Sequence, residues 1–89
     1  SDPDVLSEYA WYCAAEGIEL EQALAAAQKA SGIKKDDAET LSVLAEVAFK
    51  SSEKDLALQS IGRAILLSPE ESFYKEQKEK FSKKDEAKP

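Results

Sequence analysis

The chain has 89 residues, of which 43% are hydrophobic and 34% are charged, and its formal net charge is −6. This length and apolar content suit a single domain with a packed core and exclude a chain that is disordered throughout. The absence of histidine excludes His-based catalysis and His metal sites, and the acidic balance argues against nucleic acid as a partner.

The first predicted pair of helices has start and end signals in the sequence. Asp2 is the expected N-cap, and Pro3 takes the first helical position, where proline is favoured. Gly17 and Gly32 stand where the two helices are expected to end, because glycine adopts the left-handed conformation that follows many helices. Cys13 lies in an apolar run and is predicted to be a small buried side chain. The two helices are predicted near residues 3–16 and 20–32.

Two polar patterns open the second predicted pair of helices. Asp36 followed by Glu39 has the spacing of a capping box, in which two side chains satisfy N–H groups at a helix start. Ser52 with Asp55 is predicted to open the next helix by the same spacing. Apolar residues recur every three or four positions in both segments, as a core-facing stripe requires. These helices are predicted near residues 37–51 and 54–67.

A fifth helix is predicted near residues 69–82, with Ser68 as its N-cap and Pro69 in its first position. Tyr74 and Phe81 are seven residues apart and are expected to lie on the preceding helical pair. The remaining face of this helix is polar, which is typical of a helix that ends a stack of repeats.

The sequence repeats itself with a period of one helical pair. A shift of 34 residues aligns 22–33 with 56–67, and a shift of 35 residues aligns 6–17 with 41–52. We assign the extra residue to the turn at 17–20. Six small residues recur in phase and are expected to let helices approach closely, so that a bulky replacement would cost about 1–3 kcal/mol. They are Ala10, Ala23, Ala30, Ala45, Ala57 and Ala64.

The 34-residue period with phased alanines resembles the tetratricopeptide repeat. Residues 38–71 fit that pattern, with Leu44-Ala45 in the first helix, two alanines seven residues apart in the second, and then Pro69. The first unit departs from the pattern, because Lys35 stands in place of the proline. The resemblance implies an all-α solenoid of two helical hairpins and a capping helix. We predict one such domain over residues 1–82 and a flexible tail at 83–89.

The resemblance implies a protein-interaction module rather than an enzyme, with no cofactor and no metal. Repeats of this family hold peptides along the concave face, which the first helix of each pair forms. On this chain that face is acidic and carries aromatic residues, which favours a basic or apolar-plus-basic partner. It lacks the basic residues with which related domains grip acidic C-terminal tails. The residues implied are Asp4, Ser7, Trp11, Glu39, Ser42, Glu46, Phe49 and Lys50.

Trp11 allows two interpretations. Its counterpart in the second unit is Glu46, so the repeat places an indole where a charged residue of the exposed type is tolerated. In one interpretation, Trp11 covers the open end of the stack and packs on Tyr12 or the N-terminal segment. In the other, Trp11 is free and forms an aromatic anchor pair with Phe49.

Two further functions are compatible with the sequence. A weak homodimer would bury the open end of the stack, because two repeats are fewer than the three that independent stability usually requires. Alternatively, the segment supports a larger multidomain protein, since residues 9–30 are similar to bacterial repeats that follow other domains, some with a thioredoxin fold. No membrane partner is expected, because no run approaches the roughly 20 apolar residues of a membrane span.

Overall fold

The computed structural model describes residues 2–83, which contain five α-helices and no β-strand. The predicted all-α fold is confirmed. The predicted tail at 83–89 lies outside the described residues except for Lys83. The helices are α1 (Pro3–Glu16), α2 (Leu20–Ile33), α3 (Ala38–Lys50), α4 (Lys54–Leu67) and α5 (Ser72–Ser82).

Helix α3 is the centre of the molecule. It packs against α1, α2, α4 and α5. Nine consecutive residues of α3, from Thr40 to Ala48, are buried. A helix that is buried on every side has no solvent face of its own. Any groove near α3 is therefore formed where its neighbours leave a gap.

The phased alanines lie where the helices meet. All six have a relative exposure of 0%, as expected of small residues that allow close approach. All of them except Ala30 belong to one of two clusters of buried side chains, and Leu24 and Leu56 contact both clusters, so the core is continuous from one cluster to the other. Cys13 is buried in the first cluster, as predicted. The alanines are Ala10, Ala23, Ala30, Ala45, Ala57 and Ala64.

Helix α1 begins and ends at the predicted residues. The Asp2 carboxylate accepts a hydrogen bond from the backbone N–H of Asp4 at 2.9 Å, and Pro3 is the first helical residue. Gly17 follows the helix with φ of 70°, and its N–H bonds to carbonyl groups of the last turn. A left-handed residue is accessible to glycine without a Cβ clash, so this position explains Gly17.

The cap of α3 differs from the prediction by one residue. Asp37, not Asp36, precedes the helix in an extended conformation, and its carboxylate accepts from the N–H and the hydroxyl of Thr40 at 2.8 and 2.6 Å. These bonds lower the pKa of Asp37, with the Thr40 hydroxyl as the largest cause. Asp36 instead forms an exposed ion pair with Arg63 at 3.2 Å.

Two other predicted signals at helix ends are wrong. Gly32 does not end α2. The helix continues to Ile33, and Lys34 is the first residue after it. Ser52 does not open α4; it has a φ of 65° inside the turn, and Glu53 precedes the helix without a side-chain cap. The extra residue of the first unit lies in α1 and not, as predicted, in the turn at 17–20. Both turns have three residues, while α1 has 14 residues and α3 has 13.

Helix α5 starts at Ser72 rather than near residue 69. The N–H of Ser68 still bonds to the carbonyl of Ala64, so Ser68 ends α4 and is not available to begin a new helix. The N–H of Glu71 then bonds to the Ser68 carbonyl at 3.1 Å, which closes a turn. Pro69 occupies the second position of that turn, where its fixed φ is favoured.

Candidate functional site

An open groove of about 1030 Å³ lies where α1, the start of α3 and the start of α5 face one another. Five of the eight predicted site residues line it, which means that the structure brings these residues together. The other three lie elsewhere. The five are Asp4, Ser7 and Trp11 from α1, and Glu39 and Ser42 from α3.

Two aromatic rings of the groove lining lie against each other. The ring centroids of Trp11 and Phe73 are 6.2 Å apart, with an angle of 60° between the ring planes. Trp11 is 39% exposed and Phe73 is 42% exposed. Half-exposed aromatic rings in a concave site retain apolar area that a partner can still bury. Trp11 and Phe73 are therefore the main apolar contacts that the groove offers.

The ring partner of Trp11 is not the one that either interpretation of the sequence named. Trp11 lies against Phe73 of α5, a residue that is 62 positions further along the chain. The predicted anchor pair of Trp11 with Phe49 does not form. Phe49 stacks instead on Phe81, with ring centroids 4.7 Å apart. Helix α5 accounts for both outcomes, because it supplies Phe73 at its start and Phe81 at its end.

The charges that line the groove are mostly negative. Five carboxylate side chains face one lysine, Lys34. Its Nζ donates to Asp4 at 3.1 Å and lies 4.0 Å from Asp37. The hydrogen bond to Asp4, followed by the charges of Asp37 and Asp4, raises the pKa of Lys34. One bound ammonium leaves the lining with an excess of negative charge. The five carboxylates are those of Asp4, Glu8, Asp37, Glu39 and Glu71.

The pKa of the Tyr74 hydroxyl is raised by burial and, in part, by these negative charges. Burial raises its pKa, and the nearby charges of Glu39, Glu71 and Asp37 raise it further. The same charges that disfavour a tyrosinate anion favour a cation at this end of the groove. The Tyr74 ring lies 6.2 Å from that of Phe73 in an edge-to-face arrangement.

Ser7 adds a polar atom to the lining. Its hydroxyl oxygen is buried and has no hydrogen-bond partner among residues 2–83. An unpaired buried hydroxyl is uncommon in folded proteins and costs free energy until a partner is supplied.

Glu46 does not belong to the groove, contrary to the prediction. It is only 8% exposed, because α5 lies over it. Its carboxylate accepts from Gln77 at 3.0 Å and from Lys80 at 2.8 Å. Gln77 also donates to the Ser42 carbonyl, and its own carbonyl accepts from the Ser42 hydroxyl. Glu46 was predicted to pair with a basic group of a bound peptide. In the structure Gln77 and Lys80 of the same chain occupy that role.

Phe49 and Lys50 also lie outside the groove. Phe49 is half-buried against Phe81, so its ring already has a partner within the fold. Lys50 is exposed beside the turn that joins α3 to α4, in a separate shallow depression. The correction for Phe49 has the same cause as that for Glu46, whereas Lys50 lies outside the groove because it is exposed on the side of α2 and the α3–α4 turn. The repeat pattern assigns them to the concave face, but α5 covers the part of this face beyond Ser42.

Sequence reasoning missed the contribution of α5 to the groove. Glu71, Phe73 and Tyr74 line it, although Tyr74 was expected only to pack on the preceding pair. The signal was an apolar Phe73 next to the core-facing Tyr74 at the start of a polar helix. Adjacent helical residues point about 100° apart, so only one of the two can face the core.

The structure offers no separate inorganic site within residues 2–83. No group of three or more Asp, Glu or Cys side chains in this part of the chain is arranged to hold a metal ion. None of the helices described is long and apolar enough to cross a membrane.

Comparison with known proteins does not add to this geometry. No protein-family model matches the chain, and searches of curated proteins and of solved structures find no significant match. The functional conclusions below therefore depend on the groove and on the residues that form it.

Proposed function

We propose that this chain is a protein-interaction module that binds an extended basic, or apolar-plus-basic, peptide segment in the groove between α1, α3 and α5. The single observation that carries this proposal is the composition of the groove. Two half-exposed aromatic rings, Trp11 and Phe73, lie among carboxylates that outnumber the one lysine. Aromatic anchors provide most of the binding energy of interfaces, and complementary charge selects the partner.

We further propose that the two helical hairpins are tetratricopeptide repeats. The support is the burial of all six phased alanines at the contacts between helices, together with the 34-residue offset between α2 and α4. A repeat of this kind positions its first helices along one face. Under this proposal α5 ends the stack and also forms one wall of the groove.

Selection from a library of short random peptides, displayed against the immobilised full chain, tests the function. We expect the enriched sequences to carry net positive charge and at least one large apolar residue. Trp11→Ala should weaken their binding by about tenfold or more, the effect of losing an aromatic anchor. Leu66→Ala is the matched control, because Leu66 is a largely exposed apolar residue outside the groove.

Three results would contradict the proposal. One is enrichment of no peptide, or of acidic peptides. Another is equal binding by the Trp11→Ala and Leu66→Ala variants, provided that both keep the helical circular dichroism of the parent. Micromolar affinity for an acidic peptide ending in a free carboxylate would also count against it.

A second function has support from a row of exposed residues on α1, of which Tyr12 also lines the groove. Val5, Tyr9 and Tyr12 follow one another at helical spacing on α1, and Val5 and Tyr12 are about 60% exposed. Residues at i, i+4 and i+7 share one face of a helix. This stripe favours self-association or contact with a neighbouring domain, since exposed apolar rows often mark interfaces.

Sedimentation velocity at two protein concentrations tests self-association. A dimer through this stripe would show an increasing sedimentation coefficient with concentration, and Val5→Asp would abolish the increase. Leu66→Asp serves as the control, because it places the same charge on a distant exposed apolar residue. A monomer at both concentrations removes this second function and leaves the peptide-binding proposal unaffected.

A further inference from the structure

The molecule already contains one site at which a cation meets aromatic rings and a carboxylate. Lys80 Nζ lies 5.9 Å from the ring centre of Phe49 and 5.4 Å from that of Phe81. The same nitrogen is 2.8 Å from Glu46 Oε2. A cation that contacts ring faces and a carboxylate together gains attraction from both. This arrangement occupies the half of the concave face that α5 covers.

The open groove contains aromatic rings and carboxylates as well, but no lysine or arginine among residues 2–83 is within cation–π distance of its rings. Trp11, Phe73 and Tyr74 form a continuous aromatic cluster, in which Phe73 lies 6.2 Å from each of the other two rings. Glu39 and Glu71 line the groove beside this cluster, and neither makes an ion pair within residues 2–83. Lys34 is paired with Asp4 at 3.1 Å.

We propose that the aromatic cluster of Trp11, Phe73 and Tyr74, together with Glu39 and Glu71, is a subsite for one basic side chain of the partner. This inference rests on the proposed function and specifies its chemistry: an ammonium or guanidinium group lies on the rings and pairs with the two carboxylates. The partner would thereby supply a cation to the open groove, as Lys80 supplies one to Phe49, Phe81 and Glu46 beneath α5.

An apolar side chain fits this subsite less well. It would bury part of the rings, but it would also remove water from Glu39 and Glu71 without providing a hydrogen-bond donor. Desolvating a carboxylate that remains unpaired is unfavourable. A cationic group covers the rings and compensates both carboxylates, so the chemistry of the lining selects a basic residue.

A pair of small probes tests the subsite on the full chain. The probes are n-propylguanidinium, which is the arginine side chain, and n-propylurea, its neutral counterpart. The readout is the chemical shift of the Trp11 indole N–H, which is unambiguous because the chain has one tryptophan. We expect a saturable shift with n-propylguanidinium and at least about fivefold weaker binding of n-propylurea, at equal ionic strength. Equal affinity for the two probes would overturn the proposal.

Variants locate the effect. Glu71→Gln and Phe73→Leu should each weaken n-propylguanidinium binding by about threefold or more. Glu53→Gln is the matched control, because Glu53 precedes α4 as Glu71 precedes α5, and neither side chain makes a capping hydrogen bond. The same loss in Glu53→Gln as in Glu71→Gln would assign the effect to general charge and overturn the subsite. Glu71→Gln keeps the test decisive if Phe73→Leu lowers stability.

The subsite and the proposed function can fail separately. Peptides that bind the groove equally well with arginine or with citrulline would overturn the subsite and leave the function standing. Specific binding of n-propylguanidinium with no peptide enriched from the library would support the subsite and count against the function.

Discussion

Trp11 and Glu46 occupy equivalent positions in the two units, 35 residues apart, yet they have opposite environments. Trp11 is 39% exposed in an open groove, and Glu46 is 8% exposed beneath α5. The residue type alone suggests the reverse, since tryptophan is more often buried than glutamate. Position in the repeat therefore does not decide exposure. What decides it is whether another helix lies over the position.

Helix α5 creates the difference between the open groove around Trp11 and the covered surface around Glu46. Its end places Gln77, Lys80 and Phe81 on Glu46 and Phe49. Its start contributes Phe73 and Tyr74 to the groove. One helix thus covers the surface around Glu46 and Phe49 and forms a wall of the groove around Trp11. Variants in the covered surface should affect stability, and variants in the groove should affect binding.

The largest expected effect is at Phe81, in the covered surface. Phe81 has 0% exposure and stacks on Phe49, so Phe81→Ala should lower the free energy of unfolding by about 3–5 kcal/mol. Phe73→Ala on the same helix should lower it by less than about 1 kcal/mol, because its ring is partly exposed. Urea unfolding followed by circular dichroism measures both, and similar losses would contradict this difference. Phe81→Leu is the milder variant if Phe81→Ala does not fold.

The next effect concerns the polar contacts beneath α5. Gln77→Ala removes hydrogen bonds to Glu46 and to the Ser42 carbonyl and leaves these groups buried. We expect a loss of about 1–3 kcal/mol in the free energy of unfolding. Lys78→Ala, at the adjacent exposed residue, should change it by no more than about 0.5 kcal/mol. If the two variants unfold at the same urea concentration, the hydrogen bonds of Gln77 do not stabilise the packing of α5 on α3.

A smaller effect is expected at the helix cap beside the open groove. Asp37→Ala should lower the free energy of unfolding by about 1 kcal/mol, since it removes the cap of α3. Asp36→Ala breaks only an exposed ion pair and should cost less than about 0.5 kcal/mol. Urea unfolding at neutral pH compares the neighbouring aspartates directly. A larger loss for Asp36→Ala would restore the cap that the sequence predicted.

The contribution of Asp37 also depends on pH. Its pKa in the folded protein is lower than the ordinary value of 3.8, mainly because the Thr40 hydroxyl donates to the carboxylate. The stabilisation is therefore fully present above the unfolded pKa, and it is lost as the pH falls through the folded pKa. Asp37→Asn keeps a capping oxygen that does not titrate, so the difference between it and the parent should change in this acidic range. A difference that is constant with pH would contradict the assignment.

The smallest effect is on partner affinity in the open groove. Lys34→Gln removes the one cation among the groove carboxylates, so binding of the selected basic peptides should strengthen by about two- to fivefold at low salt. Lys35→Gln is the matched control, because this adjacent lysine does not line the groove. Calorimetric titration measures both variants. Equal strengthening by the two would show that overall charge, rather than the groove, attracts the peptides.

Local signals in the sequence predicted most of the fold. The bounds of α1 follow from its cap, its final glycine and its apolar spacing, and those of α4 follow from apolar spacing, because these interactions lie within a few residues of each other along the chain. The burial of the phased alanines follows from the repeat in the same way. The errors at Asp36, Gly32 and Ser52 are shifts of one or two residues, which is the range over which helix ends vary.

The sequence by itself determined the five helices, the pairing of equivalent helices in two units, and an acidic face that carries Trp11. The tertiary structure alone decided which part of that face stays open. Phe73 meets Trp11, and Lys80 meets Glu46, across 62 and 34 residues of chain. No local propensity specifies such contacts. They arise because Phe81 is buried against the core formed by α3 and α4. The burial of that ring fixes where the other residues of α5 lie.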